Sequence, residues 1–163
     1  MKHALILAGL LGVSSLQAQP AAHYSVRLMT PEIALKATQA AIAHCRAQGH
    51  QVAVAVVDRS GLLQALIRDR FAGAHTPEVA TDKAWTAASF RIPTTELARQ
   101  TQAGQAMSGI RHRERVMAIG GGLPIEAGGA VLGAIGVSGA PGGEADEACA
   151  RAGIQMVQTD LEF

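Results

Sequence analysis

The first clear periodicity begins at Thr30-Pro31-Glu32. There a residue able to cap free amides, a proline suited to the first helical position and an acid suited to the positive end of a helix dipole follow one another. Ile33, Leu35, Ala37, Ala40, Ala41 and Cys45 then form a small-residue face, which predicts a helix to about Gln48, stopped at Gly49. Gln51 to Val57 is a nearly continuous apolar run and predicts a strand. Asp58-Arg59-Ser60-Gly61 is a turn, and Leu62 to Arg68 returns as the second arm of a hairpin placed centrally in a sheet by its apolar content. A second start signal, Thr76-Pro77-Glu78, opens a helix through Val79, Ala80, Lys83, Ala84, Trp85 and Ala88 to about Phe90, and Pro93 blocks its continuation. Thr94 or Thr95 with Glu96 starts a short helix to about Thr101. A polar stretch follows, ending in Arg111-His112-Arg113-Glu114-Arg115, with no clear period. Val116 to Ile119, Leu123 to Glu126 and Ala130 to Val137 predict three short strands, turned at Gly120-Gly121-Gly122 and at Gly128-Gly129. Glu144 to about Gln158 closes the chain as a helix. This order predicts an α+β fold, with five strands in a mostly antiparallel sheet packed with helices.

Ahead of this pattern, Lys2 and His3 precede an apolar run from Ala4 to Val13 and a small, polar exit at Ser14-Ser15-Leu16-Gln17-Ala18. That is the pattern of a signal peptide, residues 1–18, with cleavage expected after Ala18. The run is about half of the roughly 20 residues a bilayer span needs, so no stable membrane insertion is expected. The mature chain, residues 19–163, is expected as one domain in a periplasm or outside the cell. In that oxidising setting Cys45 and Cys149 have two readings, one disulfide or two buried thiols acting as small hydrophobes.

Composition narrows function. A chain that is 48% hydrophobic has enough apolar matter for a packed core. Fourteen Lys and Arg against 13 Asp and Glu, with 3% aromatic residues, leave neither a basic face nor stacking rings for nucleic acid. No Cys-x-x-Cys spacing supports a structural zinc site. Ser60 and Ser138 sit in no Gly-x-Ser-x-Gly elbow, and Gly120-Gly121-Gly122 lacks the ending and following helix of a phosphate-binding loop. Glu32, Glu78, Glu96 and Glu144 all fall at helix starts, where capping accounts for them. Glu78 and Asp82 share a helix face and either hold a hard cation or face water.

Six blocks, in order, carry a family resemblance. They are Val54-Ala55-Val56-Val57-Asp58-Arg59-Ser60-Gly61, Arg68-Asp69, Lys83-Ala84-Trp85-Thr86-Ala87-Ala88, Gly121-Gly122-Leu123-Pro124-Ile125, Gly133-Ala134-Ile135-Gly136-Val137-Ser138-Gly139 and Asp146-Glu147-Ala148-Cys149-Ala150-Arg151-Ala152-Gly153. Together they span nearly the whole mature chain, which resembles the GlcG-like haem-binding family, also called haem-degrading. The resemblance implies a single profilin-like domain, a homo-oligomer of up to eight subunits and haem as ligand in several members. The expected function is an exported, non-catalytic haem-binding or haem-handling oligomer. The alternative is an enzyme or cofactor chaperone acting on a tetrapyrrole, a corrinoid or a small organic acid.

A haem site needs a soft axial donor in an apolar slot, with cations or backbone amides for the propionates. His75 is the leading axial candidate, because Arg68-Asp69-Arg70-Phe71-Ala72-Gly73-Ala74-His75 is a loop delivered by a strand onto a helix start. Arg68 and Arg70 beside it suit propionates or another small anion. Lys83 is either a binding cation or a buried ion-pair partner of Asp58 or Asp69. Gly121 and Gly122 either cradle a carboxylate or phosphate with their amides or make a tight hairpin. His112 among Arg111, Arg113 and Arg115 is an anion attractor or a solvated face. His44 and Met107 are lesser axial candidates, and Met117, placed on a strand, either ligates or, as expected for a strand Met, sits in the core.

Overall fold

The computed structural model describes residues 21–162. The expected signal peptide, residues 1–18, lies outside them. Elements follow in the order α1 (Pro31–Ala47), β1 (Ala53–Asp58), β2 (Leu63–Arg68), α2 (Thr76–Phe90), α3 (Thr94–Gln100), a 3-10 turn (Ser108–His112), β3 (Gly122–Ala127), β4 (Ala130–Ser138) and α4 (Gly143–Leu161). The class is α+β. Thr30 caps α1 by accepting the Ile33 N–H at 3.4 Å, and Gly49 at φ +78° turns the chain out of the helix.

The strands form one sheet in the order β2-β1-β4-β3, antiparallel at every pairing. Four strands stand among the described residues where the pattern predicted five. Val116 to Ile119 is not a strand, because its backbone groups bond elsewhere. The Met117 N–H donates to Thr86 Oγ1 at 2.9 Å, and the Ile119 N–H turns back to the Met117 carbonyl at 2.9 Å. Gly120 and Gly121 are therefore no hairpin turn but the approach to β3, and the only hairpin among these glycines is at Gly128-Gly129, between β3 and β4. The hairpin of β1 and β2 forms as expected, yet only β1 is central. β2 is an edge strand, with Leu63 and Leu66 exposed.

The two faces of the sheet are covered differently. Val54, Val56, Ile125, Ile135 and Val137 pack beneath α1 and α4 in the larger core. The Cys45–Cys149 disulfide joins those two helices, with Cα atoms 5.5 Å apart, and settles which reading of the cysteines holds. On the other face Ala53, Ala55, Val57 and Ala134 meet Ala80, Ala84, Ala87 and Ala88 of α2. Small residues on both partners let the helix backbone lie almost on the strands. Gly136 marks the closest approach, since a Cβ there would land on the Ala80 carbonyl oxygen and 2.6 Å from the Ala84 nitrogen. Both are backbone atoms of a helix and cannot swing aside. Gly136→Ala is accordingly expected to destabilise the fold by about 3 kcal/mol, the upper end of overpacking costs, read as a lower urea midpoint at unchanged m-value. An unchanged midpoint would show that α2 is free to lift from the sheet.

Candidate functional site: a cleft between the starts of α2 and α4

The first wall of the cleft is the loop after β2. Asp69 is buried and accepts hydrogen bonds from Arg46 Nε and Nη2 at 2.7 and 2.8 Å and from the Arg70 N–H at 2.8 Å. The Arg46 guanidinium holds the Asp69 carboxyl below the usual carboxylate range. Arg68 closes the same loop by donating from Nη2 to the Ala72 carbonyl. Thr76 donates its hydroxyl to the Gly73 carbonyl at 2.8 Å, so the chain enters α2 with His75 exposed at the cap position. Gly73 lies directly beside the ring, since a Cβ on it would stand 2.7 Å from the His75 imidazole.

The second wall is the end of β4 and the approach to α4. Gly139 takes φ +129°, a conformation open to glycine, and a Cβ on it would stand 2.6 Å from the Gln51 carbonyl oxygen. Between the walls lies a buried ion pair, with Lys83 Nζ of α2 2.8 Å from Asp146 Oδ2 of α4. Lys83 also donates to the Val137 carbonyl at 2.9 Å, and Asp146 Oδ1 accepts the Ala140 N–H at 2.9 Å. Burial pushes the Asp146 carboxyl above the usual carboxylate range, against the opposing pull of the Lys83 ammonium and the Ala140 amide. His75, Val79, Met117, Ile119, Ser138 and the Gly142-Gly143 start of α4 complete the lining of a cleft of about 450 Å³.

The predicted site residues divide. His75 and Lys83 meet in the cleft. Lys83 has a different partner from either acid expected, since Asp69 is taken by Arg46 and Asp58 accepts the Ser60 and Leu62 amides at 2.8 and 3.0 Å. Arg68 and Arg70 lie outside the lining, and Arg68 braces its own loop. Gly121 and Gly122 sit behind Lys83 as spacers. A Cβ on Gly121 would stand 2.9 Å from Lys83 Nζ and one on Gly122 2.5 Å from the Lys83 carbonyl oxygen, while the Gly122 amide donates to Thr94 Oγ1 at 2.8 Å.

Other candidates fall away from the cleft. Arg111 is hooked onto the Thr101 and Ala98 carbonyls at 2.7 and 2.9 Å. Asp82 pairs with Arg115, whose guanidinium stacks on Trp85 at 4.9 Å from the ring centre. Among the described residues no group of three or more His, Cys, Asp or Glu is placed to hold a metal ion. Sequence reasoning placed Met117 on a strand and favoured the core for it over a ligand role. Its apolar neighbours resembled a strand, but the segment is irregular and places Met117 in the lining of the cleft that His75 also lines.

The model of the HbpS-like haem-degrading proteins matches residues 29–155. The chain belongs to the HbpS-like family. An uncharacterised 15.0 kDa protein of Citrobacter freundii is 33% identical over 118 residues, covering 70% of this chain and 82% of that protein. Corrinoid adenosyltransferase PduO of Citrobacter freundii is 33% identical over 104 residues, 63% of this chain but only 31% of that enzyme. Among solved HbpS-like structures, a doubly substituted Streptomyces reticuli HbpS superposes with a TM-score of 0.78 at 35% identity, covering 90% of this chain and 98% of its own. A PduOC complex with haem superposes at 0.75 with 28% identity, covering 80% and 95%.

Proposed function

We propose that this HbpS-like chain is an exported haem-handling protein that holds the macrocycle at the cleft between α2 and α4. The observation that carries the reading is that two residues able to ligate iron, His75 and Met117, line one cleft together with the apolar Val79 and Ile119. Such donors suit ferric or ferrous iron, and apolar surface suits the ring. In this reading His75 would hold the iron, and Arg70, exposed on the same loop, adds positive charge to that loop. When bound, haem supplies an iron centre whose coordination the side chains control. The chain's own part is to bind and orient. The solved PduOC–haem complex, similar over most of this chain, supports the same ligand class.

Two further parts of the reading have their own support. Export is favoured by the Cys45–Cys149 disulfide, a bond that persists in oxidising compartments, and no helix among the described residues is long and apolar enough to cross a membrane. Self-association is favoured by the exposed Leu62, Leu63 and Leu66 at the β2 edge and by exposed Phe71 in the loop that follows β2.

Hemin titrated into residues 19–163 should give a saturable Soret shift. His75→Ala should weaken it about tenfold or more, equivalent to about 1.4 kcal/mol of lost coordination. A response no different from buffer would overturn the haem reading. The match to part of a corrinoid adenosyltransferase makes a corrinoid the competing ligand, so cobalamin belongs in the same titration.

A further inference from the structure

We infer that Arg111 takes a carboxylate of the ligand seated in the cleft, through a second hollow that opens beside it. The inference deepens the haem reading and rests on it, the carboxylate being a haem propionate. The second hollow measures about 270 Å³ and is lined by Thr95 and Ala98 of α3, by Arg111 and by Glu144 at the start of α4. It shares Ile119 and Gly143 with the cleft that holds His75 and Met117. Ile119 is 51% exposed, not packed into the core. Gly143 and Gly120 lie backbone to backbone, since a Cβ on Gly143 would stand 2.8 Å from the Gly120 Cα. That glycine pair raises no side chain between the two spaces, which leaves a path for a substituent of a ring in the cleft.

Arg111 is what the second space offers such a substituent. Its Nε donates to the Thr101 carbonyl and hydroxyl at 2.7 and 2.9 Å, and its Nη2 to the Ala98 carbonyl at 2.9 Å. All three acceptors are neutral, and Arg111 forms no salt bridge among the described residues. The guanidinium is thus fixed in place with its charge uncompensated and with Nη1 free to donate. A fork held in advance loses little freedom on binding, and its geometry suits a carboxylate. The other cation of the two linings is Lys83, which Asp146 neutralises. Thr95 and Gln102 are engaged as well, the first donating to Glu147 Oε2 at 2.5 Å and the second to the Ala98 carbonyl at 2.8 Å. Glu144 opposes the anion. It lines the same hollow, is exposed and makes no side-chain hydrogen bond among the described residues, so its charge weakens what Arg111 attracts. Cobalamin carries amides where haem carries propionates, so Arg111 favours haem of the two.

Hemin and hemin dimethyl ester, which keeps the iron and the ring but not the propionate charges, are titrated by absorbance into residues 19–163 and their variants. Arg111→Gln should weaken hemin about tenfold and leave the ester unchanged. Glu144→Gln should tighten hemin about twofold, again with no effect on the ester. His75→Ala should weaken both ligands alike, which sets coordination of the iron apart from recognition of the carboxylate.

Equal hemin affinity in the parent and in Arg111→Gln overturns the subsite and leaves the haem reading standing. Arg111 also braces its own loop, and a loop that merely collapsed in Arg111→Gln would lose hemin and ester equally. Glu144→Gln, which breaks no hydrogen bond, then decides: tighter hemin with an unchanged ester supports the subsite, and unchanged hemin overturns it. If neither hemin nor the ester binds the parent, the haem reading fails and the subsite fails with it.

Discussion

Lys83→Met should destabilise the protein by about 3–5 kcal/mol, the cost of leaving one member of a buried ion pair without its partner. Lys83 and Asp146 have side chains only 2% and 5% exposed, and together they tie α2 to the start of α4 across the end of β4. Removing the ammonium leaves a carboxylate that is already above its ordinary pKa through burial. A carboxyl whose folded pKa is raised contributes stability that is present below its unfolded pKa and lost as pH rises through the folded value. The variant should therefore be least impaired in mild acid and worsen toward neutrality. Asp69 works in the opposite sense: its folded pKa is lowered by Arg46, so its contribution is present above the unfolded pKa and lost as pH falls through the folded one. Urea midpoints of Lys83→Met and the parent, measured across pH 3 to 8 (about the range where carboxyls titrate), check both signs. A Lys83→Met/Asp146→Leu double variant should recover part of the loss, because it removes the buried charge but not the need of the Ala140 amide. A flat difference across pH, or a loss below about 1 kcal/mol, would mean water reaches the pair.

Opening the Cys45–Cys149 bond should cost about 4 kcal/mol. The bridge spans 104 residues, and chain entropy gives about 4.7 kcal/mol for a loop near that length, within a measured range of roughly 2–5. For a domain of this size that is a fall in melting temperature of roughly 10 °C. Calorimetry with and without reductant checks it, and a Cys45→Ala/Cys149→Ala variant should melt with the reduced parent and ignore the reductant. Free thiols titrating in the unreduced, unfolded protein would show that the bond does not form. α4 carries both Cys149 and Asp146, so the two perturbations share one helix. Their effects should not add, because the first to loosen α4 weakens what the other holds.

The helix starts were legible in the sequence because capping is local. Thr30-Pro31-Glu32 opened α1 with Thr30 as its cap, whereas Thr76-Pro77-Glu78 opened α2 one residue early, with His75 at the cap position and the Thr76 hydroxyl turned back to the Gly73 carbonyl. The exposed position of His75 at the cleft was legible for a similar reason, since a strand, a loop and a helix start in succession put it at a junction. Met117 was not, because an apolar tetrapeptide has the same composition in a strand and in an irregular segment. What distinguishes the two is the Thr86 hydroxyl, which takes the Met117 amide across 31 residues. The glycines divide likewise. Gly128-Gly129 is a turn by local composition, whereas Gly121 and Gly122 are glycine because Lys83 and its helix lie against them.

The sequence by itself determined where the helices begin, that the strands pair as hairpins, that the class is α+β and which family the blocks resemble. All of these depend on neighbours within a few residues or on ordered motifs. Tertiary structure alone decided that Lys83 answers to Asp146, that Cys45 reaches Cys149 and that Ser138, Met117 and His75 share one cleft. Those pairings join residues 21 to 104 positions apart. No local preference encodes them: they follow from the order in which four strands lie side by side and from how closely a helix of alanines can approach them.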